Sequence, residues 1–429
     1  MVDTTIKPSE GVPAHVPPEL VVEFDPIGGH EVNAFPPSML DQYRDRGRVL
    51  YTVFPSFPQG IWILTGHDDI RDAWKDHARF GQWGTVNEPK FGKGQIPLRL
   101  NPPDHNAYRR ALMGIFSPGR LRAMEPEIRR TVRQMLSEIS SKGSCEFVSE
   151  FGLMVPAATF CQMLGLPADN FARFNQIAID LVYTPEHVLR TEGEERAAAV
   201  RQEAKEAAEE VISKQIKHRR DNPDDRNDVI SFLLGAQVGD RPMTIDEIEN
   251  ITNLLFYAGT DSTGAAITYA ISFLATHPEH RRAIVENPDI IPRATEELLR
   301  MHGFHWNLRD VREDTEYAGV QMKRGDLIML STGSANHDPT RFDEPTKVDF
   351  AREDVNPNMT FGAGVHRCLG APLATMTLRV VLEELHRIMP DYEIDPNSKG
   401  VVYQTGQSKA IPFNVPLLYP AVDFDPAID

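Results

Sequence analysis

Cysteine is scarce in this 429-residue chain: Cys145, Cys161 and Cys368 are its only thiols, they form no CxxC pair, and an odd number cannot close a disulfide framework. A reducing compartment follows, with a thiol left over for chemistry. Basic charge is also short. The 62 acidic against 45 basic side chains give a net charge of −17, which repels polyanions and excludes nucleic acid as an expected partner. The N-terminal MVDTTIKPSEGVPAHVPPELVVEFDP has neither the basic region nor the apolar run of a signal or anchor, so a cytoplasmic protein without a membrane anchor is expected. Low-complexity linkers, internal repeats and shifts of composition are missing too. The expected organisation is an extended N-terminal arm over residues 1–35 and a single domain over 36–429.

What is present can build a large core, since 41% of the residues are hydrophobic. The runs GIWILTG (60–66) and RGDLIMLSTG (324–333) predict strands, while helical spacing dominates the middle and the C-terminal third. The fold class is therefore mainly α with a minor β-sheet. Residues 192–220 predict a solvated amphipathic helix, with charges on one face and Ala, Val and Ile on the other. The segment 244–276 opens on Thr244 and Glu247, a capping box, and stops at His277-Pro278, about 50 Å of helix. At its centre Gly259, Thr260, Asp261, Ser262 and Thr263 are poor helix formers, which predicts a local weakening.

The most specific string is F-G-A-G-V-H-R-C-L-G, residues 361–370, ahead of the apolar helical stretch APLATMTLRVVLEEL. A thiolate ligand suits a loop-to-helix junction, where helix amides stabilise its charge. Gly362, Gly364 and Gly370 permit tight turns and close backbone approach, and Phe361 offers an aromatic wall against water. This string resembles the haem-binding loop of the cytochromes P-450. Upstream, Glu297 and Arg300 in E-E-L-L-R match the family's ExxR pair, which looks structural for the haem-side core.

The resemblance implies the single-domain cytochrome P-450 fold, with haem b between a long central helix and the Cys-ligand loop, and Cys368 as axial thiolate and metal ligand. It implies that His105 and Arg109 of an HxxxR pattern, Arg309 in WNLRDV and His366 hold the haem propionates. In A-G-T-D-S-T, 258–263, Asp261 matches the acid of the family's acid-alcohol pair. Ser262 stands where the alcohol is usually threonine, and Thr263 follows, so either hydroxyl is a candidate for the proton relay. Four residues after Ala258, Ser262 is placed to bond that carbonyl and open the helix into a groove for dioxygen.

PAHVPPELVVEFD is similar to the opening of bacterial camphor hydroxylase and its terpene-oxidising relatives, which implies a small apolar substrate such as a monoterpenoid or norisoprenoid. Residues 83–98 and 171–190, Leu254, Tyr257, Ala258, His305, Trp306 and Gln407 would line the pocket. KGQIP (93–97) offers Lys93 and Gln95 where the camphor enzyme anchors its substrate with tyrosine, so camphor itself is not expected. Electrons would come from an acidic iron-sulfur ferredoxin, with a ferredoxin reductase and NAD(P)H upstream, docking on Arg71, Arg109, Arg110 and Arg367. A peroxide-driven haem-thiolate oxygenase is the near alternative, and a non-catalytic haem-binding protein the remoter one.

Overall fold

The computed structural model describes residues 11–25, 31–32, 36–55, 57–84, 95–166, 171–223, 227–355, 357–405 and 409–427. Its contacts fall into two units, Met1–Lys90 with Glu296–Cys368 and Val402–Ile411, and Phe91–Thr295 with Leu369–Val401 and Pro412–Asp429.

In the first unit the run GIWIL becomes a strand buried on both sides. Successive side chains of Phe57–Leu64 point to opposite faces, so Trp62 and Leu64 join Val49, Tyr51, Ile328 and Leu330 in one core, while Ile61 and Ile63 join Leu50, Leu308 and Met329 in the other. Two covered faces make such a strand read as continuous apolar sequence. The sheet runs Val49–Phe54, Phe57–Leu64, Leu327–Ser331, Trp306–Val311, Phe80–Gln82 in spatial order. The central pair is parallel, with Ile328 opposite Trp62, and its other neighbours are antiparallel. Part of the expected N-terminal arm belongs to this unit's core. Val22 N donates to Tyr51 O at 2.8 Å, and Asp326 Oδ2 lies 2.8 Å from both His15 Nε2 and Trp62 Nε1.

The second unit is mostly helical. Its central helix, Ile245–Thr276, begins in the expected capping box: Thr244 Oγ1 accepts from Glu247 N, and Glu247 accepts from Thr244 N. Glu247 also accepts from Tyr108 and Arg241, and these donors hold its carboxyl down at about 2. The helix Glu194–Asp221 buries Ala197, Val200, Ala204, Ala208, Val211 and Ile216, steps of three to five residues that trace one stripe. The helix that follows the cysteine, Ala371–Ile388, is tied to Pro118–Ser140 through Glu384. Arg129 and Arg133 reach this buried carboxylate from the second helix at 2.6 and 2.8 Å, and Arg387 from its own at 2.9 Å. No helix among the described residues is long and apolar enough to cross a membrane.

Candidate functional site

The three thiols differ in environment, Cys145 and Cys161 belonging to the second unit and Cys368 to the first. Burial pushes Cys145 and Cys161 up to about 12, so both stay protonated, whereas Cys368 is exposed. Its loop is closed by backbone: Cys368 N donates to Phe361 O at 2.9 Å and Arg367 N to Gly364 O at 3.2 Å, around the single 3-10 turn Gly364–His366. Gly362 and Gly364 take φ of +67° and +69°, which L side chains rarely adopt, and a Cβ on Gly364 would also stand 2.7 Å from Trp74 O. Gly370 differs from these two in its backbone angles. Its φ of −82° is open to any residue, and it lies in a turn as the N-cap of Ala371–Ile388.

Glu297 and Arg300 are fully buried and form the frame on which this loop hangs. Arg300 also donates to the carbonyls of Asn336, Pro345 and Lys347 and stacks on Phe342. Asn336 passes the connection on: its amide donates to Arg300 O and to Thr360 Oγ1, its oxygen accepts from Met359 N, and Thr360 Oγ1 donates to Leu299 O. Met359 and Thr360 immediately precede Phe361. Arg352 is a third member that the sequence did not single out, with Nε 3.1 Å from both Glu297 oxygens. No periodicity links positions 55 apart, and only the fold brings them together.

Other first-unit candidates have definite places. Arg309 is buried on Trp306–Val311, opposite Ile328 on one side and Gln82 on the other, with Nη1 donating to Leu308 O. His366 closes the 3-10 turn two residues before the cysteine. His305 N donates to Thr332 Oγ1 and His305 O accepts from Thr332 N, His305 bridges to Lys409, and Trp306 packs at the edge of the Leu50 core. Gln407 lies outside the described residues. Arg71 is neutralised by Asp68 and Asp72 at 2.7 and 2.9 Å, while Arg367 is exposed.

In the second unit, His105 and Arg109 stand one turn apart on Asp104–Leu112, with His105 buried; Arg110 beside them is exposed. On the central helix the acid-alcohol cluster splits between two faces. Thr260 and Thr263 are buried in the core, whereas Ala258 is exposed and Leu254, Asp261 and Ser262 are half-buried, at the spacing of one outward face. Ser262 Oγ donates to Ala258 O at 2.6 Å, the expected bond. The expected opening of the helix does not occur, and Ile245–Thr276 is α-helical throughout. The hydroxyl occupies a second lone pair of the carbonyl without displacing the ladder, and close packing holds the turn: a Cβ on Gly259 would overlap the Phe160 ring, and one on Gly264 would meet Gly152 O at 3.0 Å.

Tyr257 is half-buried and leans toward Glu194–Asp221, its hydroxyl 3.4 Å from Lys205 O and 3.2 Å from Asn253 Oδ1. Gln95 and Ile96 both donate their backbone N–H to Asn250 Oδ1 at 2.8 Å, which ties that segment to the central helix; Lys93 lies outside the described residues.

The Cytochrome P450 family model matches residues 30–402. Mycinamicin IV hydroxylase/epoxidase of Micromonospora griseorubida is 29% identical over 377 residues, 86% of this chain and 91% of that protein. Nocardicin C N-oxygenase of Nocardia uniformis subsp. tsuyamanensis is 29% identical over 374 residues, 85% of this chain and 90% of that protein. The crystal structure of cytochrome P450 CYP101C1 is similar with a TM-score of 0.83 at 30% identity, covering 96% of this chain and 100% of that one.

Proposed function

We propose, from the premise that this chain belongs to the cytochrome P450 family, that Cys368 is the axial thiolate of a monooxygenase acting on a small, largely apolar molecule of monoterpenoid or norisoprenoid size. The family uses haem b with a cysteine thiolate as axial ligand, and its members are oxygenases. The donor set of this chain fits that group: one exposed thiol in a backbone-closed loop, with the two other thiols protonated by burial. This is the observation that carries the assignment.

When bound, haem b supplies dioxygen activation, which thiolate donation favours by promoting O–O cleavage. The remaining work belongs to side chains. Cys368 donates charge as a thiolate, Phe361 shields it from water, and His105, Arg109, Arg309 and His366 hold the propionates. Ser262, on the outward face of the central helix, holds the proton to be delivered, and Asp261 one residue before it renews that proton from solvent. Serine lacks the methyl that restrains a threonine rotamer, so part of the oxygen is expected to leave as peroxide.

The small-substrate reading rests on the N-terminal resemblance and on the short side chain of Ala258 on the outward face beside Leu254. An acidic ferredoxin is the electron donor that suits the exposed Arg110 and Arg367. Carbon monoxide binding to the dithionite-reduced protein tests the ligand. A strongly red-shifted Soret band that disappears in Cys368→Ala is expected, and the absence of haem or an unchanged band in the variant overturns the assignment. A high-spin shift of the ferric protein by monoterpenoids then tests the substrate class, and a shift by macrolide-sized compounds alone would reject it.

A further inference from the structure

A cleft of about 220 Å³ lies wholly within the second unit, where the start of Pro118–Ser140 meets the end of Met154–Met163 and the start of Val229–Leu234. Its wall is mostly apolar, formed by Ile115, Met124, Ile128, Met163 and Val229. A water takes about 30 Å³ in the liquid, so the space equals roughly seven waters, the size of a medium-length chain rather than a polycycle.

Arg120 stands at one end of this wall in an unusual state. Burial lowers its pKa, and among the described residues its hydrogen bonds run only from Nη2, to neutral acceptors: Asn227 O at 3.0 Å, Asn227 Oδ1 at 2.8 Å and Asp228 O at 3.3 Å. Its face lies over the Phe232 ring at 5.1 Å. No carboxylate among the described residues pairs with it, because the nearby Asp228 carboxylate is engaged by Arg219 Nε at 3.0 Å and Ser231 N at 2.7 Å. A partly desolvated guanidinium whose Nε and Nη1 are uncommitted among the described residues favours an anion. At the other end, two helical turns and about 10 Å away, Glu127 is paired with Arg130 and accepts from Gln162 at 3.3 Å. Its charge is answered locally and does not cancel that of Arg120.

We propose that this cleft is a binding site for a small amphipathic monocarboxylate, its carboxylate accepting from the free edge of Arg120 and its hydrocarbon body lying along Met124, Ile128 and Met163. None of its lining residues belongs to the cysteine loop or to the outward face of the central helix, so it does not depend on the catalytic reading. A ligand here would bridge Pro118–Ser140 and Val229–Leu234, which Arg120 already connects through Asn227 and Asp228.

Octanoate and octan-1-ol, titrated by calorimetry into holoenzyme saturated with imidazole at the iron, separate the possibilities. Octanoate should bind under imidazole saturation, and Arg120→Gln should weaken it by about tenfold or more, the range of an ionic hydrogen bond. Met124→Trp, which fills the cleft and leaves the charge in place, should weaken it too. Loss of octanoate binding in imidazole-saturated protein alone would place the ligand at the haem, and equal affinity for octan-1-ol would remove the need for Arg120. Either result, or unchanged affinity in both variants, overturns the proposal.

Discussion

Arg300 and Glu297 meet as a fork, with Nε–Oε2 and Nη2–Oε1 both at 2.8 Å, and both side chains are buried from water. A buried ion pair is weak evidence of net stability, but removal of one partner strands the other charge. Here the stranded group would also release the carbonyls of Asn336 and Pro345, and with Asn336 the hydrogen bonds to Met359 and Thr360.

Arg300→Lys keeps the charge and loses the fork. The variant is expected to lose about 3–5 kcal/mol of stability and to be recovered largely without haem. Thermal unfolding and haem content per chain check this; a variant with native haem content would show that the fork does not support the cysteine loop.

Ser262→Ala removes the outward hydroxyl from its bond to Ala258 O. Product formed per NAD(P)H consumed should fall by about tenfold or more, since positioned proton transfer is worth roughly 10²–10⁴ in rate, with hydrogen peroxide rising in compensation. Ser262→Thr should raise coupling above the natural protein. Thr263→Val, altered on the core side, should not reproduce the uncoupling, and if it does the relay belongs to Thr263.

Gly259→Ala would gain about 1 kcal/mol of helix propensity in open space. Packed against Phe160, the added methyl should instead destabilise by about 1–3 kcal/mol. Phe160→Ala in the same chain should return part of that loss, and strict additivity of the two changes in chemical denaturation would contradict the overlap.

Burial pushes the Glu384 carboxyl up, but Arg133, Arg129 and Arg387 outweigh it and hold the group at about 2. A depressed carboxylate stabilises the fold above its ordinary value near 4.5 and ceases to do so as pH falls toward 2. Glu384→Gln should therefore lower the melting temperature at pH 7, by an effect of roughly 2 kcal/mol after screening of the partly exposed arginines. The gap between variant and natural protein should narrow as pH falls from 5 to 3, and a gap constant with pH would assign the loss to packing.

The cysteine loop, the ExxR pair and the acid-alcohol cluster are short strings whose chemistry is carried by adjacent or one-turn neighbours. That is why they were legible, together with the capping box at Thr244 and the stop at His277. Some local rules misled. Poor propensity at Gly259–Thr263 predicted a weakened helix, but propensity costs of tenths of a kcal/mol per residue yield to the packing of Gly259 and Gly264 against neighbouring segments.

Residue types at short spacing, by themselves, determined a mostly helical chain with one thiol set apart for a metal, and its membership of a haem-binding family. Only the tertiary structure decided that Cys368 is the exposed thiol, that Ser262 faces outward while Thr263 faces the core, that Arg352 completes the Glu297–Arg300 pair, and that Arg120 has no carboxylate partner among the described residues. Each of these is a question of burial or of contact between distant positions. Desolvation and partner geometry depend on which segments pack together, and no local pattern encodes that.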